Sequence, residues 1–237
     1  MNDPQKELSN YLEILIFRCL HIDSLNRQVK QIFEWETPER IEALDAGSHF
    51  FELSLYTFSR TILLDLYKLV AEDEDKSLID WLNKAKEHCN FLDVSRYDPQ
   101  SSTKNGRREL SNDEYIEIID KHLALIKKHS ATIQSLKGRR DTVIAHTDRT
   151  FFNDPRKMFD KFPLTDLEID SLIDSLKEIF HDQNSLLIHT DMSMEVSAVT
   201  DVESVLRNVR AFRRVWKDKR ITRECKIRVA DYLEDKY

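Results

Sequence analysis

The sequence predicts an all-α fold, on the grounds of its composition and its apolar periodicity. The 237 residues include only 3 glycines and 5 prolines, and 33% of them are charged. That composition favours long helices over the tight turns of a β fold. Apolar residues recur at every third or fourth position through most of the chain, as they do along one face of a helix. The length suits one large domain or a domain with an extension.

The first two predicted helices cover residues 5–35 and residues 37 to about 71. The second begins at Thr37 and Pro38, a favourable N-cap residue followed by a favourable first helical residue. It has the broadest apolar stripe of the sequence and is therefore predicted to be the central helix of the core. The stripe consists of Phe50, Phe51, Leu53, Leu55, Phe58, Ile62, Leu63, Leu66, Leu69 and Val70.

The middle of the chain predicts a short helix, a long loop and a very long helix. Asp75 or Ser77 caps the short helix. Residues 93–111 are polar and have no periodicity, which predicts a loop. A capping box at residues 111–114 then opens a helix of more than about 35 residues. Gly138 is the predicted weak point of that helix.

Beyond the long helix, residues 153–164 predict a loop that is anchored by two phenylalanines, Phe159 and Phe162. A second capping box at residues 165–168 opens a fifth helix, which is expected to bury Leu167 with its other apolar residues. The predicted domains are a helical bundle over residues 1–192 and a basic helical extension over residues 193–237.

The extension is strongly basic, although the whole chain has a net charge of −7. Residues 205–228 contain ten Lys or Arg against two acidic residues. This asymmetry indicates an anionic partner such as RNA or DNA. The alternative is an amphipathic helix that keeps its arginines in water and docks its apolar residues on the bundle. Those apolar residues are Val205, Val209, Phe212, Val215 and Trp216.

The most informative stretch covers residues 136–152 and reads LKGRRDTVIAHTDRTFF. On a regular α-helix, His146 would share a face with Arg139, Thr142 and Arg149. Arg140 could reach that face because its long side chain points back along the helix. Guanidinium groups bind phosphate in a fork, and a positive field favours a neutral imidazole that can act as a base. The alternative is a solvated helix face with intrahelical ion pairs.

The segment from Arg140 to His146 resembles the signature of the HEPN superfamily: an arginine, a polar residue directly after it, and a histidine four to six residues beyond the arginine. The ordered blocks around it are similar to those of the abortive-infection AbiU-type HEPN family, and the similarity covers about residues 40–190. These blocks are residues 50–55, 63–69, 76–82 and 162–169.

The resemblance implies a HEPN-like up-down helical bundle, here with the additional C-terminal basic helical segment. It also implies a homodimer in which the Arg–His helices of two protomers share one composite site. By this resemblance, Arg140 and His146 are the catalytic pair of a metal-independent endoribonuclease, and Asp141 orients the site. Arg139, Arg149 and Thr142 are the expected RNA-binding or phosphate-binding residues.

The biological role implied by the resemblance is phage defence or toxin-like growth control, with RNA as substrate and an antitoxin or regulatory protein as a further partner. Asp148 stands where toxins controlled by nucleotidyltransferase antitoxins have a tyrosine, so tyrosine modification is not expected. The alternative is a non-catalytic HEPN module that dimerises or binds a partner or a nucleotide. No cofactor is expected in either case.

Other classes of protein are disfavoured by what the sequence lacks. No run reaches about 18 uninterrupted apolar residues, so no membrane span is predicted. Cys19, Cys89 and Cys225 form neither a metal motif nor a disulfide framework, and a cytoplasmic location is expected. His122 and His129 lack acidic neighbours and are predicted to lie on the surface, so no metal site is expected.

Overall fold

The structure is a computed structural model that describes residues 3–33, 38–100, 106–145, 156–189, 192–195 and 201–217. It describes the backbone alone at residues 39, 143–145, 201, 203 and 212–217. The described residues confirm the all-α prediction. They form nine α-helices: α1 Pro4–Phe33, α2 Pro38–Ala46, α3 Ser48–Val70, α4 Leu78–Glu87, α5 Asn112–Lys127, α6 Ser130–Arg139, α7 Arg156–Lys161, α8 Asp166–Leu187 and α9 Asp201–Lys217.

The predicted helix starts are confirmed where the structure describes a cap. The Ser77 hydroxyl accepts a hydrogen bond from the Asp80 amide at the start of α4. Both predicted capping boxes form, at residues 111–114 before α5 and at residues 165–168 before α8. Each box satisfies backbone N–H groups that the first helical turn leaves without a partner.

Two helices predicted to be continuous are interrupted by tight turns. At Gly47 the backbone N–H donates to the Leu44 carbonyl, three residues back, and this turn separates α2 from α3. At His129 the N–H donates to the Ile126 carbonyl in the same way, between α5 and α6. Hydrogen bonds of this spacing tighten a helix end. A π-helical turn over Arg140–Ala145 then follows α6 directly.

The prediction of a loop over residues 93–111 is wrong at two short strands. Strands β1 Ser95–Tyr97 and β2 Arg107–Glu109 pair antiparallel, with Arg96 opposite Arg108. Arg107 fixes this hairpin, because its guanidinium donates to the Ser95 carbonyl at 2.7 Å and also to the Ser185 carbonyl of α8. A long-range contact between side chain and backbone therefore orders a segment that has no periodicity of its own.

The predicted loop over residues 153–164 is also corrected, because α7 lies within it. Phe162 does anchor the segment, since its ring lies against Gly138. Phe159 is 53% exposed, and Leu167, which was expected to be buried, is 79% exposed. The exposure of Leu167 follows from its place in the first turn of α8, before the buried stripe begins at Leu172.

The chain divides into two compact units. Unit 1 comprises Met1–Ser24 and Arg60–Val196, so it takes the start of α1 and the end of α3 together with α4 to α8. Its buried core includes Leu12, Leu15, Ile22, Leu66, Tyr67, Leu69, Leu78, Trp81, Leu82, Tyr115, Ile119, Leu172, Leu176, Ile179 and Phe180. The Trp81 indole N–H donates to the Leu8 carbonyl at 2.9 Å, which ties α4 to α1.

Unit 2 comprises Leu25–Ser59 and Ser197–Tyr237. Its core contains Ile32, Ala43, Leu44, Phe51, Val202 and Leu206. In α9, Val209 is partly buried against this core, whereas Val205 is 42% exposed, so the expectation that Val205 docks is wrong. The side chains of Phe212, Val215 and Trp216 lie outside the description. The domain boundary between residues 192 and 193 stays a prediction.

The helices that the structure describes include none with both the length and the apolar character that crossing a membrane requires.

Candidate functional site

Arg140, the first residue of the π-helical turn, is held on three sides. Its Nε donates to Asp141 Oδ1 and its Nη1 to Glu74 Oε1, both at 2.8 Å. The guanidinium carbon lies 4.0 Å from the ring centroid of Tyr67, within cation–π range. The side chain is 18% exposed. Among the described residues, no group accepts a hydrogen bond from the remaining nitrogen, Nη2. Arg140 is thus a cation fixed in place, with one nitrogen that no described residue uses.

The charge of Arg140 is stabilised by its surroundings. Burial opposes ionisation, but the hydrogen bond to Asp141 and the attraction of Tyr67, Asp141 and Asp73 outweigh it, so the pKa of Arg140 lies above its ordinary value. Arg140 therefore stays protonated at any physiological pH.

Behind Arg140, a chain of polar contacts continues through Tyr67 and Asp73 to Lys137. The Tyr67 hydroxyl donates to Asp73 Oδ1 at 2.5 Å, and Lys137 Nζ donates to Asp73 Oδ2 at 2.7 Å. The bonds from Lys137 and Tyr67 lower the pKa of Asp73 to about 2. Burial and the bond to Asp73 raise the pKa of Tyr67. The phenol therefore stays neutral and keeps its ring under the guanidinium.

The π-helical turn changes the residue spacing, which the sequence prediction took to be that of a regular α-helix. A π turn bonds each residue to the fifth along the chain, so it inserts one residue relative to an α-helix. One residue corresponds to about 100° of rotation at 3.6 residues per turn. The α-helical spacing that placed His146 on the face of Arg139 therefore does not hold through this turn. His146, Asp148 and Arg149 themselves lie outside the described residues. Single π turns are frequent at functional sites.

Arg139 points its guanidinium at the backbone that precedes α8. Its Nε donates to the Phe162 carbonyl at 2.9 Å, one Nη reaches the Leu164 carbonyl at 3.5 Å, and the Phe159 ring centroid lies 5.0 Å away. Burial lowers the pKa of Arg139 from its ordinary value. Thr142 likewise uses its hydroxyl locally, donating to the Gly138 carbonyl at 2.6 Å. The phosphate-binding role of both residues stays a prediction.

A groove of about 880 Å³ opens beside this network and shares Tyr67, Asp73, Glu74 and Lys137 with it. The end of α3 and the turn after it form one side, and α4, α5 and α6 supply the rest. The carboxylates along it outnumber the lysines. Tyr67, Asp73, Glu74 and Lys137 were not predicted from the sequence as neighbours of Arg140, although residue 67 lies inside one of the blocks that resemble the HEPN family.

The surface prediction for His122 is wrong. His122 is 8% exposed, and its Nδ1 lies 3.0 Å from Gln183 Nε2 while its Nε2 lies 3.2 Å from Asp182 Oδ2. The Tyr115 hydroxyl donates to the other end of the Gln183 amide at 2.9 Å. This network links α5 to α8 inside unit 1. His129 is half-buried, with its Nε2 2.9 Å from the Ser175 hydroxyl.

Within the described ranges, no three His, Cys, Asp or Glu side chains are arranged to hold a metal ion. Cys19 and Cys89 are buried free thiols, and burial raises the pKa of Cys19 to about 12. The raised pKa of Cys19 is the opposite of the lowered pKa that marks a reactive cysteine.

Comparison with known families gives one match. The family model HEPN_AbiU2, described as AbiU2, matches residues 6–215. The match spans both Arg140 and His146 and most of the chain. No curated protein and no solved structure matches the sequence.

Proposed function

The chain belongs to the AbiU2 family of HEPN proteins, and from this premise we propose that it is a metal-independent endoribonuclease. The proposed site is composite, formed in a homodimer by Arg140, Asp141 and His146 of each protomer. Its role is phage defence or toxin-like growth control. The observation that supports this function best is the Arg140 guanidinium, which Asp141, Glu74 and the Tyr67 ring hold in place a few residues before His146 in the sequence.

The proposed reaction needs no metal because RNA supplies its own nucleophile. His146 accepts the proton of a ribose 2′-hydroxyl, and the 2′-oxygen attacks the adjacent phosphorus. The bond from phosphorus to the 5′-oxygen breaks, and that oxygen leaves with a proton donated by a general acid, for which His146 of the other protomer is the candidate. The products are a 2′,3′-cyclic phosphate and a 5′-hydroxyl. A histidine titrates near neutral pH and can serve in both directions.

Arg140 is proposed to stabilise the extra negative charge that develops on the phosphorane oxygens. Preorganised donors aimed at developing charge are the largest contribution in many enzymes. Tyr67 and Glu74 hold the guanidinium, so little reorganisation is needed when the phosphate arrives. The same neighbours offset the positive charge of Arg140. We therefore expect Arg140 to contribute modestly to the affinity for RNA in the ground state and more to the turnover rate.

The test is a cleavage assay on end-labelled RNA in EDTA. His146→Ala and Arg140→Ala are each expected to lower the rate about 10²–10⁴-fold, the usual size of general acid–base and oxyanion contributions. His181→Ala and Arg108→Ala are matched controls, since they remove an exposed histidine and an exposed arginine outside the site. Product ends other than cyclic or 3′-phosphate, or full activity in both site variants, would contradict the proposal.

A second function is favoured by the ion pairs around the site. Arg140 is matched by Glu74 and Asp141, and Lys137 by Asp73, so these two cations are already neutralised. A non-catalytic HEPN module that holds a partner would use such a network for binding alone. In that case the wild-type dimer leaves RNA intact in EDTA, and His146→Ala lowers dimer stability by about 1–3 kcal/mol because partner groups lose their hydrogen bonds. Sedimentation equilibrium measures that loss.

A further inference from the structure

The groove beside Arg140 combines an apolar base with an acidic border. Val70, Ala71 and Ile126 line it and are buried, while Ile79, Leu123 and Ile133 are half-buried beside them. Its volume of about 880 Å³ is near the upper end for small-molecule sites, which run to roughly 1,000 Å³. Aliphatic side chains from α4, α5 and α6 thus remain partly open to solvent in one continuous depression.

The charged residues along the groove are mainly carboxylates: Glu72, Asp73, Glu74, Asp75 and Asp80, against Lys127 and Lys137. Asp73 and Asp80 already have lysine partners, and Glu74 binds Arg140. Glu72 and Asp75 are exposed and have no ion-pair or hydrogen-bond partner among the described residues. Among the described lining residues, two carboxylates without partners thus stand against one lysine, Lys127, next to open aliphatic surface.

We infer that this groove is a docking site for a basic amphipathic segment of a protein partner. The aliphatic base fits the apolar face of a helix, and Glu72 and Asp75 fit lysines or arginines that flank that face. The inference goes beyond RNA cleavage, because the docking itself requires no catalysis. Regulation of RNA cleavage by the docked segment rests on the proposed function.

The charge of the groove disfavours the other occupants. A nucleotide or an RNA strand would bring phosphates against Glu72 and Asp75, whose charge only Lys127 offsets among the described lining residues, which is repulsive. A second copy of this chain docked by the same face would place one acidic border against the other, since a two-fold interface is self-complementary. A basic protein segment meets neither objection.

Docking would communicate with Arg140 because the groove and the site share Glu74 and Asp73. A cation in the groove competes with Arg140 for Glu74 Oε1, now 2.8 Å from Arg140 Nη1. By reciprocity, removing Arg140 frees Glu74 for the docked segment and strengthens its binding. The coupling can therefore be measured by binding alone, whether or not RNA is cleaved.

The experiment measures binding of the full-length protein to a fluorescein-labelled synthetic helix of about 14 residues, with leucines on one face and lysines on its flanks. A peptide of the same composition in scrambled order is the control for charge alone. Fluorescence anisotropy is expected to show saturable binding of the amphipathic peptide and at least tenfold weaker binding of the scrambled one.

Paired variants then locate the binding surface. Glu72→Gln and Asp75→Asn should each weaken binding about two- to fivefold, as expected for exposed ion pairs, whereas Asp113→Asn and Glu117→Gln on the outside of α5 should not. Leu123→Lys should abolish binding, whereas Leu167→Lys, at an exposed leucine of α8, should not. Arg140→Ala should tighten binding about two- to fivefold, and Arg108→Ala should leave it unchanged.

The following results would overturn the inference. Equal binding of both peptides, or equal effects of groove and control variants, would show attraction by net charge alone. Displacement of the peptide by spermidine at matched charge concentration would identify a polyamine site. Dissociation of a dimer by Leu123→Lys, seen in sedimentation velocity, would show that a second copy fills the groove. Unchanged affinity in Arg140→Ala would refute the coupling to the site.

Discussion

Gly138→Ala is the substitution whose effect the structure predicts most sharply. In the interior of a helix, alanine is normally about 1 kcal/mol more favourable than glycine. Here a Cβ at residue 138 would lie 2.1 Å from Cδ1 and 2.2 Å from Cε1 of the Phe162 ring. Carbon atoms make their best contact at about 3.5–4.0 Å, so the ring must move.

The ring has limited freedom to move because its backbone is held at both ends. The Phe162 N–H donates to the Met158 carbonyl, and its own carbonyl accepts from Arg139. Overpacking of this kind costs about 1–3 kcal/mol. Set against the helix propensity of alanine, the net loss in free energy of unfolding is up to about 2 kcal/mol, or a fall of up to roughly 8 °C in Tm.

A double-mutant cycle isolates the clash. Urea titrations of wild type, Gly138→Ala, Phe162→Ala and the double variant give the coupling energy between the two positions. In the Phe162→Ala background, the Gly138→Ala change should be neutral or stabilising, with a coupling of about 1–3 kcal/mol. A single variant more stable than wild type, or a coupling near zero, would refute the close approach of the ring to α6.

Three further substitutions test the surroundings of the site and the core. Tyr115→Phe should cost about 1–3 kcal/mol in urea titrations because the buried Gln183 carbonyl loses its donor; a loss below about 0.5 kcal/mol would contradict this. Asp73→Asn should lower the free energy of unfolding less as the pH falls. The pKa of Asp73 is lowered to about 2, so its ionised form stabilises the fold above about pH 4, and that stabilisation is lost as the pH approaches 2. The free energies of unfolding of wild type and Asp73→Asn should converge across that pH range, and a constant difference between them would contradict this prediction. Arg139→Ala should lower the free energy of unfolding by about 1–3 kcal/mol because it removes a charged donor from two carbonyls; a raised KM for RNA without loss of stability would instead show a phosphate-binding role.

Several parts of the fold were predictable because they depend on residues close in the chain. A capping box needs only a hydroxyl and a carboxyl three residues apart, so the starts of α5 and α8 could be read directly. The apolar stripe that ends α3 likewise needs only helical periodicity, and Ile62, Leu66 and Leu69 are buried as expected.

The candidate site was predictable only in part. The order of residues from Arg140 to His146 pointed to HEPN chemistry, and the family match spans both. The neighbours of Arg140 could not be predicted from the order of residues. Glu74 and Tyr67 are far from it along the chain, and one acidic residue of a charged turn looks like any other until the fold brings it against a guanidinium.

The sequence by itself determined the helical class, the starts of α4, α5 and α8 and the family, because composition, capping and residue order need no tertiary contacts. Only the tertiary structure decided three other features: the π turn that displaces the helical spacing after Arg140, the hairpin that Arg107 ties to α8, and the burial of His122 beside Gln183 and Asp182. Each of these depends on contacts between residues distant in the chain or on a shift in backbone register. Such contacts form only when helices pack, and packing sets which polar group finds which partner.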